Sequence, residues 1–224
     1  MPVDADTWQL ILTSFWPMFS AGITATIPLA LISFALGLVL AITAALMRIS
    51  GNRLLSGVAR VYISAIRGTP LLVQIFVIFY GLPQIGVLIN EYLAAVIALS
   101  LNVGGYAAEV VRAAILSVPK GQWEAGFTVG LSRATVLRRI ILPQAARVSV
   151  PPLSNTFISL VKDTSLVAQI TVAELFLSAQ RIAAFTSEFL VIYIEAAFIY
   201  WIFCLVLSFG QDRIERRLDR RVAH

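Results

Sequence analysis

Five stretches of the chain, roughly residues 20–47, 58–81, 91–115, 149–173 and 187–209, are nearly uninterrupted runs of apolar residues, with polar residues gathered between them. At about 1.5 Å per residue, each is long enough to cross about 30 Å of hydrocarbon as a helix. Barrel strands would be about ten residues long with alternating polarity. An open sheet would leave backbone groups unsatisfied in lipid. The pattern therefore predicts an all-α integral membrane protein with five transmembrane helices. The N-terminal MPVDADTWQL holds two acids and no base, unlike a signal peptide, and the run Ile23–Leu46 exceeds a signal-peptide core. Residues 1–19 are expected outside the membrane, 20–210 as the membrane domain and 211–224 as a basic cytoplasmic tail.

Basic residues orient the spans, because they concentrate in cytoplasmic loops. One side collects Arg48, Arg53 and Arg60, then Lys120, Arg133, Arg138, Arg139 and Arg147, then Arg213, Arg216, Arg217, Arg220 and Arg221. The other side has Arg181, with Asp4, Asp6, Glu91 and Glu188. Arg67, Arg112 and Lys162 fall within or at the ends of spans. The N-terminus is thus expected outside and the C-terminus inside, as five spans require.

The connection at about 117–148 is longer than a turn between helices needs, and long loops are uncommon unless functional. Glu124, Phe127, Thr128 and Leu131 fall at helical spacing on one face. Gly130 interrupts that helix, and Ser132 suits the N-cap of a second. There Ala134, Leu137 and Ile141 form a face, with Arg133, Arg138 and Arg139 off it. Pro143 is expected to break the second helix and turn the chain back to the membrane. Periodicity alone leaves two readings open: an amphipathic helix on anionic headgroups, or a docking surface for a cytoplasmic partner.

Charges inside hydrocarbon cost roughly 2.5–3.5 kcal/mol on insertion scales, so those in the spans are candidate sites. Glu109 and Arg112 can pair at i, i+3. Either the pair is structural or Glu109 faces a transport path and meets a substrate ammonium. Asn102 lies two turns before Glu109 on the same face. In SLVKDTSL, Lys162 and Asp163 are followed by Thr164 and Ser165. Either Lys162 snorkels near an end, or the helix is interrupted and restarts at Asp163 or Thr164, exposing N–H groups to a substrate carboxylate. In Arg67-Gly68-Thr69-Pro70, Pro70 is expected to kink the helix and Arg67 to be tied to carbonyls. Gln74, one turn on, either packs or meets a ligand. Phe76, Phe79 and Tyr80 are expected to pack or face lipid.

Composition narrows the function classes. The chain is 59% apolar and 13% charged, with mean hydropathy +0.88, against about 25% charged in soluble domains. The net charge of +5 sits at the membrane flanks, so it points to lipid and not to nucleic acid. Cys204 is the single cysteine and His224 the single histidine, which rules out an internal disulfide and argues against histidine-based metal or catalytic sites. The phosphate-loop pattern G-x-x-x-x-G-K-[ST] is absent from the sequence, so energy for transport would come from another polypeptide.

The stretch EAGFTVGLSRATVLRRIILP resembles the EAA loop of ABC importer permeases: Glu124-Ala125-Gly126, three residues, Gly130, nine residues, then Ile140-x-Leu142-Pro143. The one departure is Gly126 where alanine is usual, a change expected to loosen the helix by up to about 1 kcal/mol. RGTPLLVQ at 67–74, GYAAEVVRAAI at 105–115, LPQAARVSVPPLSN at 142–155 and SLVKDTSL at 159–166 look like the polar amino acid subfamily. KGQWEAG and FYGLPQ look most like its cystine permeases. The resemblance implies a type I ABC importer permease fold in the bacterial inner membrane, with a cytoplasmic coupling helix that docks on an ATPase through Glu124, Ala125, Gly126, Phe127, Gly130, Ile140, Leu142 and Pro143. It implies as partners an ABC ATPase, a second permease subunit and an extracytoplasmic solute-binding protein. No cofactor is expected on this chain, ATP and Mg residing on the ATPase. The substrate path is expected to use Gln74, Asn102, Glu109, Lys162, Asp163, Thr164 and Ser165. Cystine has two zwitterionic ends and needs charge of both signs, which glutamine, histidine or arginine would also use. An ion-gradient secondary transporter is the main alternative and would usually show internal repeats over more spans. An intramembrane enzyme lacks a histidine-containing triad or metal set.

Overall fold

Helix begins at Ala5, well before the first long apolar run. The computed structural model describes residues 5–219, and the expectations for Asp4, Arg220, Arg221 and His224 fall outside them. Helix α1 (Ala5–Ala21) passes through a π-turn (Gly22–Thr26) into α2 (Ile27–Ile49). The apolar run expected at 20–47 is thus part of a 43-residue helix, Thr7–Ile49, roughly 65 Å at the α-helical rise. The polar residues near its start do not stop it. Thr13 and Ser14 donate to carbonyls one turn back, Gln9 at 2.9 Å and Leu10 at 2.8 Å, which satisfies their hydroxyls within the helix.

The other α-helices are α3 (Arg53–Gly68), α4 (Leu71–Phe76), α5 (Glu91–Ser117), α6 (Lys120–Thr128), α7 (Arg133–Val136), α8 (Leu142–Asp163), α9 (Leu175–Thr186) and α10 (Phe189–Asp219). No strand occurs among the described residues. Among the described residues, three helices are long and apolar enough to cross a membrane, and two broken pairs raise that to five if each pair is one span.

The breaks differ from expectation in informative ways. At Pro70 the chain is not kinked but interrupted: Thr69 and Pro70 are extended, with ψ 144° and 139°, because proline pushes its preceding residue out of the helical region. At Pro143 the expected break is absent. The chain passes from α7 through a π-turn (Leu137–Ile141) directly into α8. The amide of Leu142 reaches back to the carbonyl of Leu137, so the wider turn admits the proline in the next helix's first turn, where its missing donor is harmless. The last helix runs unbroken to Asp219, so most of the expected tail continues α10.

Two compact units emerge. One comprises the residues up to Ala35, with Pro70–Leu99 and Phe157–Gly210; the other comprises Leu36–Thr69, Ser100–Thr156 and the residues from Gln211. The first has a core of Met18 from α1, Leu175, Ala179 and Ala183 from α9, and Ile192, Ala196, Ile199 and Phe203 from α10. In the second, Ala45, Val111, Ala114, Ile115, Val136, Ile141 and Ala145 are buried together.

Lipid is as apolar as leucine, so helix association here depends on close packing of small residues. Gly104 and Gly105 of α5 serve that purpose. A Cβ on Gly105 would lie 2.5 Å from Cγ2 of Ile66, and one on Gly104 would meet the Tyr62 hydroxyl. That hydroxyl donates to the carbonyl of Leu101 at 2.7 Å, tying α3 to α5. Gly105→Val should therefore destabilise the purified protein by about 1–3 kcal/mol through overpacking. Gly57→Ala, whose Cβ would meet nothing within 4 Å, should leave thermal stability unchanged or slightly raised. Thermal melts in detergent would separate the two.

Candidate functional site

The loop between α5 and α8 is two short helices joined by a tight turn. Helix α6 ends where Gly130 takes φ 78°, a left-handed conformation that glycine adopts without strain. The turn is closed by Gly130 N–H to the Phe127 carbonyl at 2.9 Å and Leu131 N–H to the Gly126 carbonyl at 3.1 Å. Ser132 then caps α7 as expected, its hydroxyl accepting the Thr135 amide at 3.3 Å.

Packing assigns each side of α6 a different task. Gly126 is buried against Val136 and Ile140, and a Cβ there would sit 2.6 Å from Val136 Cγ2. The glycine thus admits a close helix contact, and the expected loosening of the helix is offset by packing. Glu124, Ala125 and Thr128 are exposed, as are Phe127 at 47% and Val129 at 73%. The expected face shared by Glu124, Phe127 and Thr128 is thus an outer one, while Leu131 lies past α6 and packs against the core. On the second helix Ala134 is exposed. Val136 and Ile141 are buried, with Leu137, Ile140 and Leu142 packed beside them. Leu137 and Ile141 thus lie on the packed face as expected, while Ala134 does not and Val136 takes the inward position. Pro143 is exposed.

Within the spans, Glu109 accepts from Arg112 Nη2 at 2.9 Å and Nε at 3.0 Å, and Arg48 approaches at 3.8 Å. The ion pair is therefore real and is joined by a second arginine from the end of α2. Asn102 is half-buried on the same helix. Arg67 is not tied to carbonyls as expected: its guanidinium lies over the Tyr106 ring, 5.7 Å from the centroid, an attraction that ring faces offer to cations. Phe76, Phe79 and Tyr80 pack edge to face, at 5.6 and 4.9 Å between centroids.

The helix does change at Asp163, though not by restarting there. It tightens into a 3₁₀ segment (Thr164–Ile170) that ends at Thr171, φ 64°. The restart comes at Leu175, so no free N–H groups open at Asp163 or Thr164. Thr164 is buried and donates to the Val161 carbonyl at 2.7 Å; Ser165 donates to the Lys162 carbonyl. Lys162 and Ser165 line one cavity of about 510 Å³ with Tyr193, Tyr200, Trp201 and Cys204. Asp163 is half-buried. Gln74 sits on α4; neither it nor Asn102 lines that cavity.

Two carboxylates escaped the sequence reading. Glu174, 1% exposed, caps α9: it accepts the Leu177 amide at 2.8 Å, the Tyr200 hydroxyl at 2.8 Å and the Thr26 hydroxyl at 3.3 Å. Its signal was an acid just before the apolar run LFLSA, a helix-start pattern. Glu195, buried in the middle of α10, accepts the Ser14 hydroxyl at 2.5 Å. A lone acid within an apolar helix is itself the signal.

The sequence pattern of binding-protein-dependent transport system inner membrane components matches residues 37–220. The chain belongs to that family. Such permeases are membrane subunits and not the catalytic ATPases of their systems. Among its relatives, the L-cystine transport system permease protein TcyB of Bacillus subtilis is 62% identical over 96% of this chain and 93% of that one. The glutamine transport system permease protein GlnP of Escherichia coli is 41% identical over 90% of this chain and 93% of that one. Among solved structures, an amino acid ABC transporter crystallised with histidines gives a TM-score of 0.87 at 36% identity, over 97% of this chain and all of the other. The inward-facing MetNI methionine transporter gives 0.72 at 20% identity and shares the fold. The permease is thus of the type I ABC importer fold.

Two substitutions test this geometry. Gly126→Ala should destabilise the permease loop despite alanine's higher helix propensity, since Val136 is buried and has no room to yield; faster limited proteolysis between Lys120 and Arg147 would report it. Glu174→Ala leaves two hydroxyls and an amide unpaired, at about 1–3 kcal/mol for each buried group, and should lower the melting temperature far more than Tyr200→Phe.

Proposed function

We propose that this chain is the membrane-spanning permease of an ATP-driven amino-acid importer whose substrate is cystine. The observation that carries the reading is the outer surface of α6, where Glu124, Ala125 and Phe127 stand exposed while Gly126 fixes the helix to Val136 from behind. An exposed aromatic on a short, braced helix suits insertion into a groove of another protein, since buried aromatic anchors dominate interface energies. A helix lying on headgroups would instead turn its apolar side chains and arginines to one surface. Here the arginines Arg138 and Arg139 belong to the following turn.

Coupling then works mechanically. ATP and Mg stay on the partner ATPase, and its closure pushes on the segment Glu124–Pro143. Two permease copies, or this chain and a similar one, would form the pathway, and an extracytoplasmic solute-binding protein would deliver ligand. The chain would cross the bacterial inner membrane five times with its N-terminus outside, which the thirteen-to-one partition of basic residues supports. The cystine assignment draws on the high identity to a permease named for L-cystine transport. The substrate path would draw charge of both signs from Lys162, Asp163 and Glu109, with Gln74, Asn102, Thr164 and Ser165 as neutral polar groups along it.

The test is ATP hydrolysis in proteoliposomes holding permease, ATPase and receptor. Cystine-loaded receptor should stimulate hydrolysis well above receptor loaded with glutamine, arginine, histidine or nothing. Greater stimulation by another amino acid would discard cystine and keep the importer. Phe127→Ala should weaken ATPase binding at least about tenfold, the ~1.4 kcal/mol step at the low end of buried aromatic anchors. An unchanged affinity would mean that α6 is not the docking element.

A further inference from the structure

Helix α3 is amphipathic in a way that the transport reading leaves unused. Arg53, Arg60 and Arg67 recur every seven residues, with Ser56, Gly57, Ser64 and Gly68 filling the same arc. A second arc, Leu54, Val58, Val61 and Ala65, is apolar yet exposed, reaching 75% at Leu54 and 70% at Val61. Only the third arc is packed, through Ala59 and Ile63. At 16 residues the helix is about 24 Å long, short of the hydrocarbon thickness.

Beside the cationic arc lies a cavity of about 360 Å³ lined by Arg48, Arg60, Arg67, Ser64, Gly68 and Glu109. Glu109 is its single carboxylate, and Arg112 already donates to its Oε2 through both Nε and Nη2. Arg60 makes neither hydrogen bond nor ion pair among the described residues, and no carboxylate there lies within 4.0 Å of Arg67. Arg48 keeps a buried Nε–H with no partner. Such a donor is costly to leave unmade. Positive charge in excess, an orphaned donor and a serine hydroxyl together call for an anion with several acceptor oxygens.

We infer that this cavity binds the phosphate headgroup of an anionic phospholipid, whose acyl chains run along Leu54, Val58 and Val61. The exposed apolar arc beside the arginines favours a lipid over a free phosphate, which would have no use for it. Basic pockets between helices at the cytoplasmic side hold such headgroups, and Arg48 and Arg60 belong to the basic side of this chain. The inference rests on the membrane-spanning permease reading given above.

The experiment is native mass spectrometry of the detergent-purified permease–ATPase complex, titrated with phosphatidylglycerol, phosphatidylcholine or glycerol phosphate. Phosphatidylglycerol should be retained preferentially. The Arg60→Gln/Arg67→Gln double variant should lose at least about tenfold in affinity, as expected for removing two charge-assisted contacts. Arg60→Lys should retain most of it. Val58→Ser/Val61→Ser should weaken phosphatidylglycerol alone. Equal retention of both lipids, or an unchanged double variant that melts like wild type, would overturn the site. Glycerol phosphate binding as tightly as lipid would replace the lipid with a free anion, and a second permease copy covering α3 in the purified complex would overturn it too. Cystine-stimulated hydrolysis in proteoliposomes that contain phosphatidylglycerol is the control. If it persists while lipid selectivity fails, only this inference falls; if it fails while selectivity holds, the transport reading falls.

Discussion

Every feature of this protein is shaped by the requirement that backbone N–H and C=O groups in lipid find partners within the chain. Helix meets that demand by default, so each departure from α-helix has to bring its own compensation. The π-turn before Pro143 supplies a reach-back bond to Leu137. The 3₁₀ segment after Asp163 retains its amides, and the new helix after Thr171 is capped by a carboxylate that itself is held by two hydroxyls. Polar chemistry gathers at these departures because the backbone there already needs polar partners.

A second consequence follows for helix contact. Water contributes little between two helices that both face lipid, so specificity comes from how closely surfaces approach. Gly22 against the Phe203 ring, Gly104 against Tyr62 and Gly105 against Ile66 are the positions where that closeness is set. Gly126 repeats the device outside the spans, and the two helices of the loop become one stiff body.

What was legible in the sequence was local. Gly130 and Ser132 act on their own neighbours, so turn and cap could be named from residue type. The span pattern survived because apolar length is a property of contiguous residues. What was not legible depended on residues far apart in the chain. Arg67 rests on Tyr106 and Glu109 is shared with Arg48, pairings that no periodicity encodes. Gly126 read as a weakness because its benefit lies on Val136. Glu174 fell between two assigned spans, so its capping role went with a helix, α9, that had not been assigned. Pro70 and Pro143 show the limit most plainly: the same residue type ended one helix and was absorbed by another, and the difference was the extra residue in the turn before Pro143.

That extra residue has a lasting effect on how the chain tolerates change in length. Among the described residues the helical rods carry three such widened turns, at Gly22–Thr26, Val77–Gly81 and Leu137–Ile141. Losing one residue from any of them would return the turn to ordinary α-helix with its ladder intact and leave the faces beyond it nearly in phase, because the widened turn takes up the extra residue within itself. These turns are therefore the places where the chain can shorten by one residue without opening a gap, whereas the same loss elsewhere in a helix would turn the whole downstream face by about 100° away from its partners.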